Sequence, residues 1–78
     1  MTLADLEKGE SRTVASVRGE AAITRRLMEM GVVPGVAVRM VKSAPFGDPI
    51  EIKVRGYSLA LRRSEAESVA LEKVATNE

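Results

Sequence analysis

The sequence predicts a mainly β domain, a small partly open barrel of about five short strands with one α-helix inserted between the first two. Three observations carry this expectation. Short runs alternate apolar with polar residues, the period of a half-buried strand. One stretch, Ile23, Leu27 and Met30, instead repeats at i, i+4 and i+7, the stripe of a helix lying on a core. Five strands in 78 residues also leave edges that have to be hidden, and closing the sheet hides them.

The elements follow in order. Thr2 to Gly9 reads as one helical turn, capped by Thr2 with Asp5 three residues on, ended by Gly9, and with Leu3 and Leu6 on one side. Ser11 to Val17 is a short strand. Gly19 precedes the helix, expected from about Glu20 to Met30, with acidic Glu20 near its start and cations further along, in accord with the helix dipole. Gly31 stands where a helix end favours a left-handed residue, and Pro34–Gly35 has the chemistry of a type II turn. Val36 to Val41 alternates as a strand. Ser43 to Pro49 is a loop, because two prolines and a glycine within it exclude regular structure.

The best-specified element is a hairpin. Ile50–Val54 and Tyr57–Leu61 flank Arg55–Gly56, a turn of the right length for a two-residue hairpin. The register places Val54 against Tyr57, Ile52 against Leu59 and Ile50 against Leu61, all facing the core, with Glu51, Lys53, Ser58 and Ala60 outside. A one-residue slip would set apolar residues against polar ones. Ser64 to Glu67 has the form of a capping box on a single turn, and Val69 and Leu71 supply a last strand. Residues 1–78 form one domain, ordered from about 2 to 74, with residues 75–78 a frayed tail. The whole reads as an SH3-like barrel with a helical insertion.

Composition narrows the function. There is no cysteine and no histidine, which removes disulfides, thiolate chemistry, the usual general base and the usual transition-metal ligand. No nucleophile–base pair is apparent, and Gly47 and Gly56 are turn glycines rather than a phosphate-cradling loop, so no enzymatic activity is expected. A net charge of +1 with one Tyr, one Phe and no Trp lacks the basic footprint and stacking platform of a nucleic-acid binder. No apolar run has the length of a membrane span or the form of a signal peptide, so a cytoplasmic module is expected.

Several fragments, taken in their order and spacing, resemble the ferrous iron transport protein A family. They are Leu3, Leu6 and Gly9; Arg26–Leu27 followed by Met30–Gly31 and Pro34–Gly35; the loop Ala44–Pro45–Phe46–Gly47–Asp48–Pro49; and Leu59–Ala60–Leu61–Arg62 with Glu65–Ala66 behind it. The resemblance spans nearly the whole chain. It implies an SH3-like barrel, a cytoplasmic setting and a role in ferrous iron uptake through the ferrous iron permease. At family level it also implies an association with transition metal, Fe(II). The same module occurs at the C-terminus of iron- and manganese-dependent repressors. This chain opens at Met1 on the module itself, with no room for a helix-turn-helix, which favours the transport protein.

The candidate site residues are those of a docking surface: Arg25, Arg26, Met28 and Phe46. Arginine, methionine and aromatic side chains are the types enriched at interface hot spots. Each also has a plainer reading. Arg25 and Arg26 fit a solvated helix face with Glu29 as an i+4 partner to Arg25; Met28 fits a gap between helix and barrel; Phe46 fits a residue folded onto the core. No metal site is expected. Asp48 with Glu51, or Asp5 with Glu7, offers only loose oxygen ligation of a hard cation, and Met28 with Met30 is a poor site for Fe(II).

These features lead to a non-enzymatic module that docks on the cytoplasmic, GTP-binding region of the permease, through the helix face around Arg25 and Met28 extended by the loop bearing Phe46. Weak self-association stays open. The first alternative is a metal-responsive regulatory module of the repressor kind. A general proline-peptide reader is disfavoured, since two aromatic residues cannot line such a groove.

Overall fold

The computed structural model describes residues 1–72; the expected tail at 75–78 lies outside them. Five strands alternate with two helices: β1 (Ser11–Val17), α1 (Ala21–Glu29), β2 (Ala37–Ser43), β3 (Ile50–Val54), β4 (Tyr57–Leu61), α2 (Arg63–Ala66) and β5 (Val69–Leu71). The strands form one antiparallel sheet in the order β4-β3-β2-β1-β5, with register shifts in β1 at Val14/Ser16 and in β2 at Met40/Lys42. Leu61 of β4 and Val69 of β5, at opposite ends of that order, belong to the same buried core. The sheet therefore curls around a single interior as a partly open SH3-like barrel.

The hairpin has the register the alternation requires: Val54↔Tyr57, Ile52↔Leu59 and Ile50↔Leu61. Ile50, Ile52, Val54 and Leu61 are buried. Tyr57 departs from expectation. It shares the core-facing side yet is 43% exposed, because it ends the strand at the rim, where its hydroxyl donates to the Met30 carbonyl. Leu59 is half-buried on the edge strand.

Helix α1 ends as its glycine demands. Gly31 has φ +97, its N–H donates to the Met28 carbonyl (3.0 Å), and the Val32 N–H donates to the Leu27 carbonyl (3.0 Å). This is a Schellman motif, closed by burial of Leu27 and Val32. The next corner is a turn in which the Val36 N–H donates to the Val33 carbonyl (3.1 Å), with Gly35 at φ +92. Of the predicted stripe only Leu27 is fully buried; Ile23 and Met30 are partly covered.

Two local expectations are corrected. The first turn is a 3-10 turn, Leu3–Asp5, that finishes before Gly9; Gly9 (φ +85) serves instead a turn in which Glu10 N–H donates to the Glu7 carbonyl (2.9 Å). The cap of α2 is not Ser64 with Glu67. The helix starts two residues earlier, and Glu65 Oε1 accepts from the Arg62 N–H (3.0 Å), because the buried carboxylate is the one facing the helix start.

Candidate docking surface

The outer side of α1 carries a shallow groove lined by Ala21, Thr24, Arg25, Met28, Glu29 and Val33. It exists because the helix keeps only Leu27 fully inside and Ile23 partly covered, and leaves Met28 on the outer side. Met28 is 45% exposed, so the gap-filling reading does not describe it. Arg25 forms no ion pair among the described residues, and the expected Arg25–Glu29 pair is not made. A cation beside a polarizable thioether, at the mouth of an apolar groove, suits a partner that brings a carboxylate next to an apolar side chain.

Arg26 has a different task. Its Nη1 stands 2.6 Å from Oε2 of Glu65, whose side chain is 8% exposed. The pair joins α1 to α2 across the molecule, so this guanidinium is engaged within the chain while its side chain stays 56% exposed. Sequence reading missed it because the two residues are 39 apart.

Phe46 sits at the tip of the β2–β3 loop and is fully exposed, so it is not folded onto the core. Its backbone lies in the left-handed region (φ 72, ψ 8), where a side chain with a Cβ is strained by about 1–2 kcal/mol. The loop holds it there. Gly47 N–H donates to the Ala44 carbonyl (2.8 Å), Ala44 N–H donates to the Pro49 carbonyl (2.9 Å), and Asp48 Oδ1 accepts from the Arg63 N–H (3.0 Å). Beside it opens a largely apolar cleft bounded by Ala44, Pro45, Pro49, Ile50 and Ala60, with Lys42 and Glu51 on its rim.

Met28 and Phe46 are not brought together. The end of α1 lies against the hairpin turn, where a Cβ on Gly31 would be 3.6 Å from Val54. The Phe46 loop joins the other end of β3 at Ile50, which pairs with Leu61. Four residues of strand, about 13 Å, separate these ends. The single continuous surface expected from the sequence is thus two candidate patches.

The metal candidates are engaged elsewhere. Asp48 accepts from the Arg63 N–H and has Arg62 Nη2 at 3.5 Å; Glu51 has Lys42 Nζ at 3.8 Å. No group of three His, Cys, Asp or Glu that could hold a metal occurs among the described residues. These residues do not fit a tight transition-metal site. Among the same residues no helix is long and apolar enough to cross a membrane.

Comparison with known proteins agrees with this architecture. A family model described as the FeoA domain matches residues 1–73. A Porphyromonas gingivalis Fe(2+) transport protein A/Fe(2+) transporter FeoB fusion protein is 31% identical over 77 residues, covering 99% of this chain and 9% of its own length. The chain therefore spans about a tenth of that relative. The crystal structure of Stenotrophomonas maltophilia FeoA complexed with zinc, described as a procaryotic SH3 domain protein, is 42% identical, with a TM-score of 0.82 over 92% of this chain and 89% of that one. The solution structure of Chlorobium tepidum FeoA is 41% identical, with a TM-score of 0.89 over 100% of this chain and 74% of that one. A manganese-dependent transcriptional repressor reaches a TM-score of 0.85 at 17% identity, over 94% of this chain and 36% of that one, a likeness of fold alone.

Proposed function

The chain belongs to the FeoA family, and from that premise we propose that it is a small cytoplasmic accessory protein of ferrous iron uptake. It has no catalytic activity of its own. It docks on the cytoplasmic GTP-binding region of the ferrous iron permease and supports or regulates transport. The observation that carries this reading is the relative in which transport protein A and the FeoB transporter are one polypeptide. A fusion holds two modules at up to millimolar effective concentration, an arrangement suited to partners that must touch.

The geometry supports docking rather than chemistry. The α1 groove sets Arg25, which has no ion pair among the described residues, beside an exposed Met28, and the Phe46 loop offers an exposed aromatic tip.

The test is direct. Titrating the chain into the purified GTP-binding region, and into the whole permease in membranes, should give saturable binding; removing the chain from cells should lower ferrous iron uptake. Absence of binding to both forms of the permease would overturn the proposal.

A further inference from the structure

The two edges of the sheet are treated differently. At β5, Thr2 bridges Ala70, and Leu71 donates its N–H to the Met1 carbonyl (3.0 Å), so the N-terminus covers that edge. At the other edge, β4 has a ladder only with β3 among the described residues. Its sequence, Tyr57–Ser58–Leu59–Ala60–Leu61, contains no proline and no charge, and its pairing with β3 has no bulge. Proteins normally blunt an exposed edge with at least one of these devices.

Hydrogen-bond parity says which groups the edge presents. The hairpin turn has φ 51 at Arg55 and φ 88 at Gly56, the two positive values of a type I′ turn, so Val54 and Tyr57 form the hydrogen-bonded pair that closes it. Bonded and non-bonded pairs alternate from there. Tyr57, Leu59 and Leu61 direct their main-chain groups at β3, and Ser58 and Ala60 direct theirs outward.

We propose that β4 pairs antiparallel with β4 of a second copy, about a two-fold axis at Leu59. In that register Ser58 lies opposite Ala60 of the second copy, and Ala60 opposite its Ser58. These are the residues whose outward N–H and C=O groups have no backbone partner among the described residues. Tyr57 then faces Leu61, and Leu59 faces Leu59. The strand reads apolar, small, apolar, small, apolar in both directions, so it is its own complement. Within Tyr57–Leu61 no charge meets a charge, and the exposed part of Tyr57 and the half-buried Leu59 gain cover. Just beyond the strand Arg63 of one copy comes opposite Arg55 of the other, a like-charge approach that weakens the pairing. A one-residue slip would break both the parity and the facing of the side chains. The contact is small beside the roughly 1,200 Å² of a standard interface, so the dimer is weak and dissociates on dilution.

Sedimentation of the purified chain from micromolar to millimolar concentration tests this. The mass should rise from 8.4 kDa towards twice that value, and the Ser58 and Ala60 amides should gain exchange protection in step. Ser58→Lys, at an exposed position, should lower the association constant at least tenfold with an unchanged circular dichroism spectrum. Ala60→Pro should do the same by deleting an outward N–H; if it unfolds the chain, Ser58→Lys decides. A mass of 8.4 kDa at all concentrations would overturn the proposal. So would undiminished dimerisation of folded Ser58→Lys, which would place the contact on another face, or an edge that stays monomeric and instead accepts an extended segment of the permease.

Discussion

Arg26 in α1 reaches Glu65 in α2, with Nη1 2.6 Å from Oε2, while the other oxygen of the same carboxylate accepts from the Arg62 N–H. One buried acid thus satisfies a helix start and anchors a helix that buries few of its own side chains. Removing a partner from such a group leaves the rest unsatisfied. Arg26→Ala and Glu65→Ala should each destabilise the fold by about 1–3 kcal/mol in urea titration. The double variant should lose less than their sum, since each removes the same contact. Strict additivity would mean the pair contributes nothing.

Gly31 and Gly9 make a controlled comparison. Both have positive φ, +97 and +85, so a Cβ is strained at either by about 1–2 kcal/mol. At Gly9 nothing lies within 4 Å of the added carbon, but at Gly31 it would stand 3.3 Å from Tyr57 Oη. Gly31→Ala should therefore cost more than Gly9→Ala. Tyr57→Phe in the Gly31→Ala background should narrow the difference, as read by denaturation midpoints.

Ile52 is fully buried opposite Leu59, so Ile52→Ala should lose about 2–5 kcal/mol, a large share of the stability of a small domain. A near-neutral result would contradict the hairpin register. That register was legible because two alternating strands joined by two residues leave one arrangement with every apolar residue on one side. The end of α1 was legible because Gly31 is the residue a Schellman motif favours. The Arg26–Glu65 pair was not, since no local pattern marks partners 39 residues apart. Alternation gave the face of Tyr57 but not its depth, which depends on where the strand ends. The separation of Met28 from Phe46 depends on how α1 crosses the sheet, and nothing local encodes that.

The carboxylates suggested as cation ligands already have partners, Asp48 with Arg62 and the Arg63 N–H, Glu51 with Lys42. Fe(II) or Zn(II) added to the chain should accordingly bind no tighter than about the millimolar range of loose oxygen sites. A stoichiometric micromolar site in calorimetry would refute this and favour a metal-responsive module of the repressor kind.

The two candidate patches lie at opposite ends of the β3–β4 hairpin, so separate variants can tell which one meets the permease. Arg25→Glu with Met28→Ala changes only exposed side chains and should leave the circular dichroism spectrum intact. If the α1 groove is the contact, binding should fall about thirtyfold, the loss of one hot spot of about 2 kcal/mol. Phe46 gives a sharper sign. Its φ of 72 suits asparagine better than phenylalanine, so Phe46→Asn should hold stability or raise it by up to about 1 kcal/mol. Binding should nonetheless weaken if the ring is the anchor. A residue whose removal strengthens the fold and weakens the complex is held in place by function. Both variants binding the permease like the parent chain would refute both surfaces and leave the family assignment standing.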